Sequence, residues 1–258
     1  MLLLSVSFLF GLLLGSFANV CVVRLPEGDS IVSPRSRCPH CGASIRFWDN
    51  IPILSFLLLA GRCRACRAAI SWQYPCIELT VAIFFTFHAV WFGPDLSRAV
   101  ILDLLFFYLF VISIIDYRHR IIPDELSLSL IALGLVISWA NPLLQGPPLY
   151  RLAESAAAAL MGGASMFFLA WLGEKIFKQE ALGGGDIKLV AAFGAVLGWQ
   201  RLWTSLFVGS MLGALAGIAL ILMKKKKRRE TLPFGPFLSL GAYLACFLPS
   251  PWRLLIFP

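Results

Sequence analysis

Charge is what this sequence has least of. Only 14% of its 258 residues are Asp, Glu, Lys or Arg, while 59% are hydrophobic and the mean hydropathy is +0.82. A soluble domain carries about 25% charged residues. The composition therefore excludes an ordinary soluble protein and points to a polytopic membrane chain. Several chemical signatures are missing as well. There is no Rossmann-type glycine loop, no phosphate loop, and no Ser/His/Asp set with a nucleophile elbow. No internal repeat is visible, and inverted repeats are what many transporters show. Histidine is nearly absent, with 3 residues. His88 reads as an interfacial or packed side chain, and His119 as a group supporting a neighbouring aspartate.

Apolar runs predict spans near Leu2–Val23, Cys76–Phe92, Ala99–Ile115, Leu126–Ala140, Leu152–Phe177, Ile187–Gly198, Leu202–Met223 and Pro233–Leu248. A bilayer core needs about 20 helical residues, so Ile187–Gly198 is the short one. The first run lacks a basic leader and a small-residue cleavage site, so it reads as a retained span rather than a signal peptide. With eight crossings, one set of loops holds every basic residue except Arg98, Arg151, Arg201 and Arg253, including the run Lys224–Arg229. The positive-inside rule then places the amino terminus outside and the large loops in the cytoplasm. The net charge of +8 is thus a topology signal beside membrane lipid, and nucleic-acid binding is not expected.

Against so few charges, carboxylates inside apolar runs stand out. Asp186 follows three glycines in Leu182-Gly183-Gly184-Gly185-Asp186-Ile187-Lys188, and Asp116 ends the run Ile101–Ile115. An ionisable residue in a membrane segment is a functional candidate by default and needs a partner. The expected topology puts both aspartates at one membrane face. Two adjacent carboxylates cannot both ionise cheaply, so they share a proton. One activates water and the other hydrogen-bonds the carbonyl and protonates the leaving amine. Asp116 and Asp186 are therefore predicted as a catalytic pair for peptide hydrolysis. Gly183 and Gly185 would let a substrate backbone approach, and Asp124 would support the site while capping the next helix.

The one large polar insertion, residues 24–75, holds Cys38-Pro39-His40-Cys41 and Cys63-Arg64-Ala65-Cys66. Two such knuckles supply four thiolates for a tetrahedral, structural Zn2+ site. Cys21, Cys76 and Cys246 lie at or inside spans and read as packing residues. The expected fold is an all-α polytopic membrane protein of about eight transmembrane helices with a small cytoplasmic zinc-binding loop domain. Its parts are 1–23 as first span, 24–75 as zinc domain and 76–258 as membrane-embedded peptidase.

The motifs GSFANV (15–20), SPRSRCPHC (33–41), GRCRAC (61–66), ISWQYPCIE (70–78), IIPD (121–124) and LGGGDIKL (182–189) occur in an order that resembles the bacterial type IV prepilin leader peptidase/N-methyltransferase family, of the GxGD type of intramembrane aspartic peptidases. The resemblance implies cleavage of the leader of type IV prepilins or type II secretion pseudopilins at the cytoplasmic face of the bacterial inner membrane. It further implies methylation of the new amino terminus by S-adenosylmethionine. Asp116 and Asp186 match the family's catalytic aspartates, and Cys38, Cys41, Cys63 and Cys66 its metal cysteines. Asn19, Arg24, Asn50 and Glu78, near the junction of loop and membrane, are the candidates for methyl transfer. Relatives often carry a glycine shortly after the glutamate, where this chain has Leu79-Thr80-Val81-Ala82. The competing readings are a peptidase without methylation, a proton-coupled transporter, and a zinc-loop scaffold for membrane assembly.

Overall fold

The computed structural model describes residues 1–93, 95–178, 182–223 and 232–248. The basic run Lys224–Arg229 and Arg253 lie outside the described residues. The described residues form helices and turns, with two isolated antiparallel bridges and no strand. This agrees with the all-α expectation. The chain divides into two compact units, residues 1–107 and 108–258.

In the first unit, α1 (Leu2–Arg24) packs along α3 (Gln73–Trp91). Small residues permit the close approach that lipid-embedded helices use: a Cβ on Gly15 would lie 2.5 Å from the Glu78 Cα. The first part of α4 (Leu96–His119) joins them through stacked rings, Phe84 on Phe106 at 4.2 Å and Phe17 on Phe107 at 5.9 Å. Between α1 and α3 runs the 24–75 loop. It contains a 3-10 turn at Phe47–Asn50 and the short helix α2 (Leu54–Leu58).

In the second unit, the end of α4 is followed by α5 (Asp124–Ile137), α6 (Pro148–Phe177), α7 (Gly184–Leu222) and α8 (Gly235–Ala245). Pro123 stops the preceding chain from continuing as helix and Arg120 takes a left-handed turn at φ 57. The core is built from Ile112, Ile115, Leu130, Leu189, Phe193, Leu202 and Leu238. α7 is broken at Gly198, whose φ 73 and ψ 172 no helical residue adopts. In the last turn before the break, the carbonyls of Ala195 and Val196 accept from Ser155 Oγ at 2.6 Å and Asn141 Nδ2 at 2.7 Å. Both donors are fully buried. Backbone polar groups away from water require such partners.

Among the described residues, five helices are long and apolar enough to cross a membrane: α1, α3, α4, α6 and α7. The protein is thus a helical, multi-pass membrane protein, and the eight apolar runs fall on α1, α3, α4, α5, α6, the two arms of α7, and α8. The expected sixth and seventh spans are the two arms of α7, parted at Gly198. The first arm, residues 184–198, rises only about 22 Å at 1.5 Å per residue, against a core of about 30 Å. α5 and α8, with 14 and 11 residues, are also short.

Candidate active site

Asp116 occupies the last turn of α4 and is buried, with 6% of its surface exposed. A carboxylate there faces the negative end of its own helix dipole. The structure answers with a second helix: the Gly235 N–H, opening α8, donates to Asp116 Oδ2 at 2.8 Å. Gly235 is required there, since a Cβ would stand 2.7 Å from that oxygen. The Pro/Gly cluster before α8 signals a helix start, but nothing in the sequence pairs it with Asp116. Gly235 is a site residue that sequence reasoning missed.

Asp186 sits in the first turn of α7, where the helix dipole favours an anion, and its N–H bonds the Gly183 carbonyl at 3.1 Å. The two carboxylates are near enough to act on one another electrostatically. The three glycines before Asp186 have separate reasons. A Cβ on Gly185 would meet Ile122 Cβ at 2.8 Å, one on Gly184 would meet nothing, and one on Gly183 would just touch Asp186 Oδ2 at 3.6 Å. Gly185 thus lets the turn after Asp116 press against the start of α7.

Asp124 opens α5 as expected, but its side chain makes no capping hydrogen bond. It takes Lys188 Nζ instead, at 2.6 and 2.7 Å to its two oxygens. Lys188 lies two residues after Asp186, so a half-exposed ion pair links the α4–α5 turn to the α7 start. Sequence spacing gives no sign of a bond across 64 residues. His119 is exposed.

In the first unit, the Sγ atoms of Cys38, Cys41, Cys63 and Cys66 all lie within 4.8 Å of one another. Cys38 and Cys66 sulfurs are 3.9 Å apart. Thiolates about 2.3 Å from a tetrahedral zinc stand about 3.8 Å apart, so the four residues fit a metal ion. Their backbone is built twice on one plan. Cys38 N bonds Ala43 O at 2.9 Å and Gly42 N bonds Cys38 O at 2.9 Å. Cys63 N bonds Ala68 O at 2.8 Å and Arg67 N bonds Cys63 O at 3.0 Å. Bridges Arg37–Ser44 and Arg62–Ala69 close the two hairpins. The chain therefore does hold a repeat, at the scale of one knuckle. Backbone N–H groups of Cys66 and Ala65 bring the Cys63 thiol down to about 7, which readies it as a ligand.

Asn19, Arg24, Asn50 and Glu78 all line a single cavity of about 730 Å³ beside the knuckles. Glu78 is 7% exposed, bonds Ser16, and accepts the Ile53 N–H at 2.8 Å. Ile53 has φ 59 and ψ −49, with Leu54 N on Pro52 O at 2.5 Å. That is the rare, strained form of γ-turn, unusual for a β-branched residue. Asn19 donates to the Tyr74 carbonyl at 3.1 Å, while its buried Oδ1 has no hydrogen-bond partner. The Arg24 guanidinium is committed to the loop, donating to the carbonyls of Ser30 at 2.8 Å and Pro34 at 2.7 Å.

His88 is fully buried and pairs through Nδ1 with Asp103 Oδ1 at 2.7 Å among Phe84, Phe87 and Phe106. The packed-residue reading of His88 holds, and Asp103 supplies a partner that the sequence did not single out.

Comparison with known proteins accounts for both units. Residues 9–92 match a model described as the bacterial peptidase A24 N-terminal domain, and residues 104–218 the type IV leader peptidase family. A protein of Stutzerimonas stutzeri named prepilin leader peptidase/N-methyltransferase is 34% identical over 93% of this chain and 88% of its own length. One of the same name from Aeromonas hydrophila is 36% identical over 93% and 89%. An Escherichia coli O78:H11 protein, named type 4 prepilin-like proteins leader peptide-processing enzyme, is 36% identical over 93% and 92%. No solved structure matches the chain. With identity at this level across nearly the whole sequence, the chain belongs to the type IV leader peptidase family.

Proposed function

We propose that this enzyme removes the leader peptide of type IV prepilins or type II secretion pseudopilins and then N-methylates the new amino terminus. The carrying observation is the pairing of Asp116 and Asp186 at the facing ends of two helices, with the Gly235 N–H on Asp116. Two such carboxylates share one proton. The ionised member takes a proton from water as the oxygen attacks the scissile carbonyl. The protonated member hydrogen-bonds the carbonyl oxygen, then gives its proton to the leaving amine as the C–N bond breaks. Gly184 has open space where an extended backbone could lie and Gly183 borders only Asp186 Oδ2, whereas Gly185, expected to admit substrate, instead seats Ile122. The Asp124–Lys188 pair holds the α7 start. In this reading the site opens to the cytoplasm at the inner membrane, as the loop charges favour.

Residues 24–75 form the metal-binding, methyltransferase-associated part and residues 76–258 the peptidase. Zn2+ on the four cysteines holds the two knuckles together in a loop too short to fold on its own apolar core. S-adenosylmethionine supplies an activated methyl group. The cavity suits such a donor in having the polar side chains of Asn50 and Glu78 in its lining. Glu78 and the Ile53 turn shape the wall, and Arg24 ties the loop over it.

The test is to incubate the purified protein with a synthetic prepilin amino-terminal segment, with and without S-adenosylmethionine, and weigh the products. Cleavage after glycine plus one methyl mass establishes both activities. Cleavage alone leaves a peptidase without methylation. A folded, zinc-loaded protein that cleaves no pilin-like segment overturns the reading.

A further inference from the structure

The short helix α2 has no polar face. Ser55, Phe56 and Leu59, at its end, line the cavity on one side. On the other side Leu54, Leu57 and Leu58, spaced as one helical stripe, point outward with 48, 66 and 76% of their surface exposed. A soluble helix carries charge on its outer stripe, and the loop has the arginines to do so. They sit elsewhere, in the knuckles and turns.

Exposed aromatic side chains flank α2 as well. The preceding 3-10 turn packs on α2, tied by Ser55 Oγ to the Trp48 carbonyl at 2.9 Å. It adds Phe47, 79% exposed, whose ring meets Trp48 edge-on at 4.5 Å. Beneath α2, Phe56 packs at 4.9 Å on Trp72, itself 71% exposed. Trp72 is the residue immediately before the apolar span α3. Through Phe56, α2 is thus packed beside the start of an apolar span. The make-up of the exposed surface also fits one environment. One tryptophan, Trp72, at the start of a span, a second, Trp48, on the turn packed against α2, exposed leucines on α2 and Arg46 over the Trp48 ring at 5.6 Å are the pattern of a membrane–water boundary.

We infer that α2 and the Phe47–Asn50 turn lie in the bilayer surface, with Phe47, Leu54, Leu57, Leu58 and Trp72 among the acyl chains nearest the headgroups. The knuckle loop is then a monotopic attachment as well as a soluble insertion between spans. Its consequence, which rests on the methyl-transfer reading above, is that the cavity rim is held at the lipid surface. There it meets an amine carried on a membrane-anchored chain more readily than one on a free peptide.

The full-length protein would be reconstituted in vesicles of phosphatidylethanolamine and phosphatidylglycerol containing a photoactivatable phospholipid, and adducts located by mass spectrometry. Wild type is expected to carry lipid adducts within residues 47–58 and at Trp72, beside those on α1 and α3. The Leu57→Asp/Leu58→Asp variant should lose the loop adducts several-fold while keeping its zinc. If that variant loses zinc, Leu57→Ser/Leu58→Ser takes its place. With methylation as readout, the variant should raise KM several-fold for a membrane-anchored acceptor and leave a soluble acceptor of the same end unchanged. Lipid adducts confined to the spans overturn the inference. If wild type methylates neither acceptor, the methyl-transfer reading falls, and the lipid adducts alone decide this one.

Discussion

Asp116 and Glu78 make an instructive pair. Each is a carboxylate on a membrane helix, each is almost wholly buried, and each accepts one backbone N–H at 2.8 Å. They differ in what stands around that bond. Asp116 takes its N–H from the start of a helix, has the Arg120 charge near it, and acts electrostatically on a second carboxylate, Asp186. Glu78 takes its N–H from a strained turn and bonds a serine hydroxyl. Two coupled carboxylates can trade a proton with a substrate, whereas one carboxylate held by a turn and a hydroxyl is suited to shaping a wall. Burial alone does not make a catalyst; the second titratable group does.

The sharpest way to break the comparison is to neutralise one member of the pair. Asp116→Asn and Asp186→Asn should each lower cleavage about a thousandfold, the order expected from loss of a general acid or base. Methylation of an already cleaved segment should survive in both. Cleavage within tenfold of wild type in either variant would end the claim that the pair is the engine.

The converse attack is on the other unit. Chelation of the metal, or Cys63→Ser, should unfold the knuckles and abolish methylation, while cleavage persists at a reduced rate; metal content and product masses report both. Simultaneous loss of cleavage, with the helices intact by circular dichroism, would mean that the two activities depend on one another.

A milder test probes how the aspartates are brought together. Gly185→Ala puts a methyl 2.8 Å from Ile122 Cβ. Overpacking of this kind costs about 1–3 kcal/mol, and the start of α7 must shift. Cleavage should fall about tenfold, mainly in kcat, with methylation untouched.

For Glu78 the discriminating variants are Ala and Gln. Glu78→Ala leaves the Ile53 N–H without its acceptor, a cost of about 1–3 kcal/mol, and should weaken methylation several-fold by loosening the cavity wall. Glu78→Gln keeps a carbonyl acceptor and should retain the turn. Proteolytic nicking within residues 50–60 reads the difference. If Gln is as damaging as Ala while the loop stays protected, Glu78 acts through its charge on the reaction itself.

The smallest effect should come from Lys188→Ala. Both partners of the Asp124–Lys188 pair are about half exposed, and exposed pairs contribute about 0–1 kcal/mol. Cleavage should drop a few-fold and recover in the charge-swapped Asp124→Lys/Lys188→Asp protein. A drop of a hundredfold or more would place Lys188 in contact with substrate.

What the sequence by itself determined rests on composition and short-range pattern. Apolar runs specify helices in lipid because no other local structure satisfies the backbone there. Two CxxC motifs specify a four-thiolate cluster because each knuckle needs only a few residues to form. Asp116 and Asp186 stood out because charge in such runs is costly. Tertiary structure alone decided the rest. The Gly235 N–H reaches Asp116 across 119 residues, Lys188 reaches Asp124 across 64, and Glu78 reaches Ile53 across 25. None of these bonds has a periodicity to reveal it. The break at Gly198 belongs to the same class. A glycine in an apolar run reads equally well as helix packing or as helix ending, and the donors Ser155 and Asn141, brought in from neighbouring segments, take up carbonyls that the break leaves without helical partners.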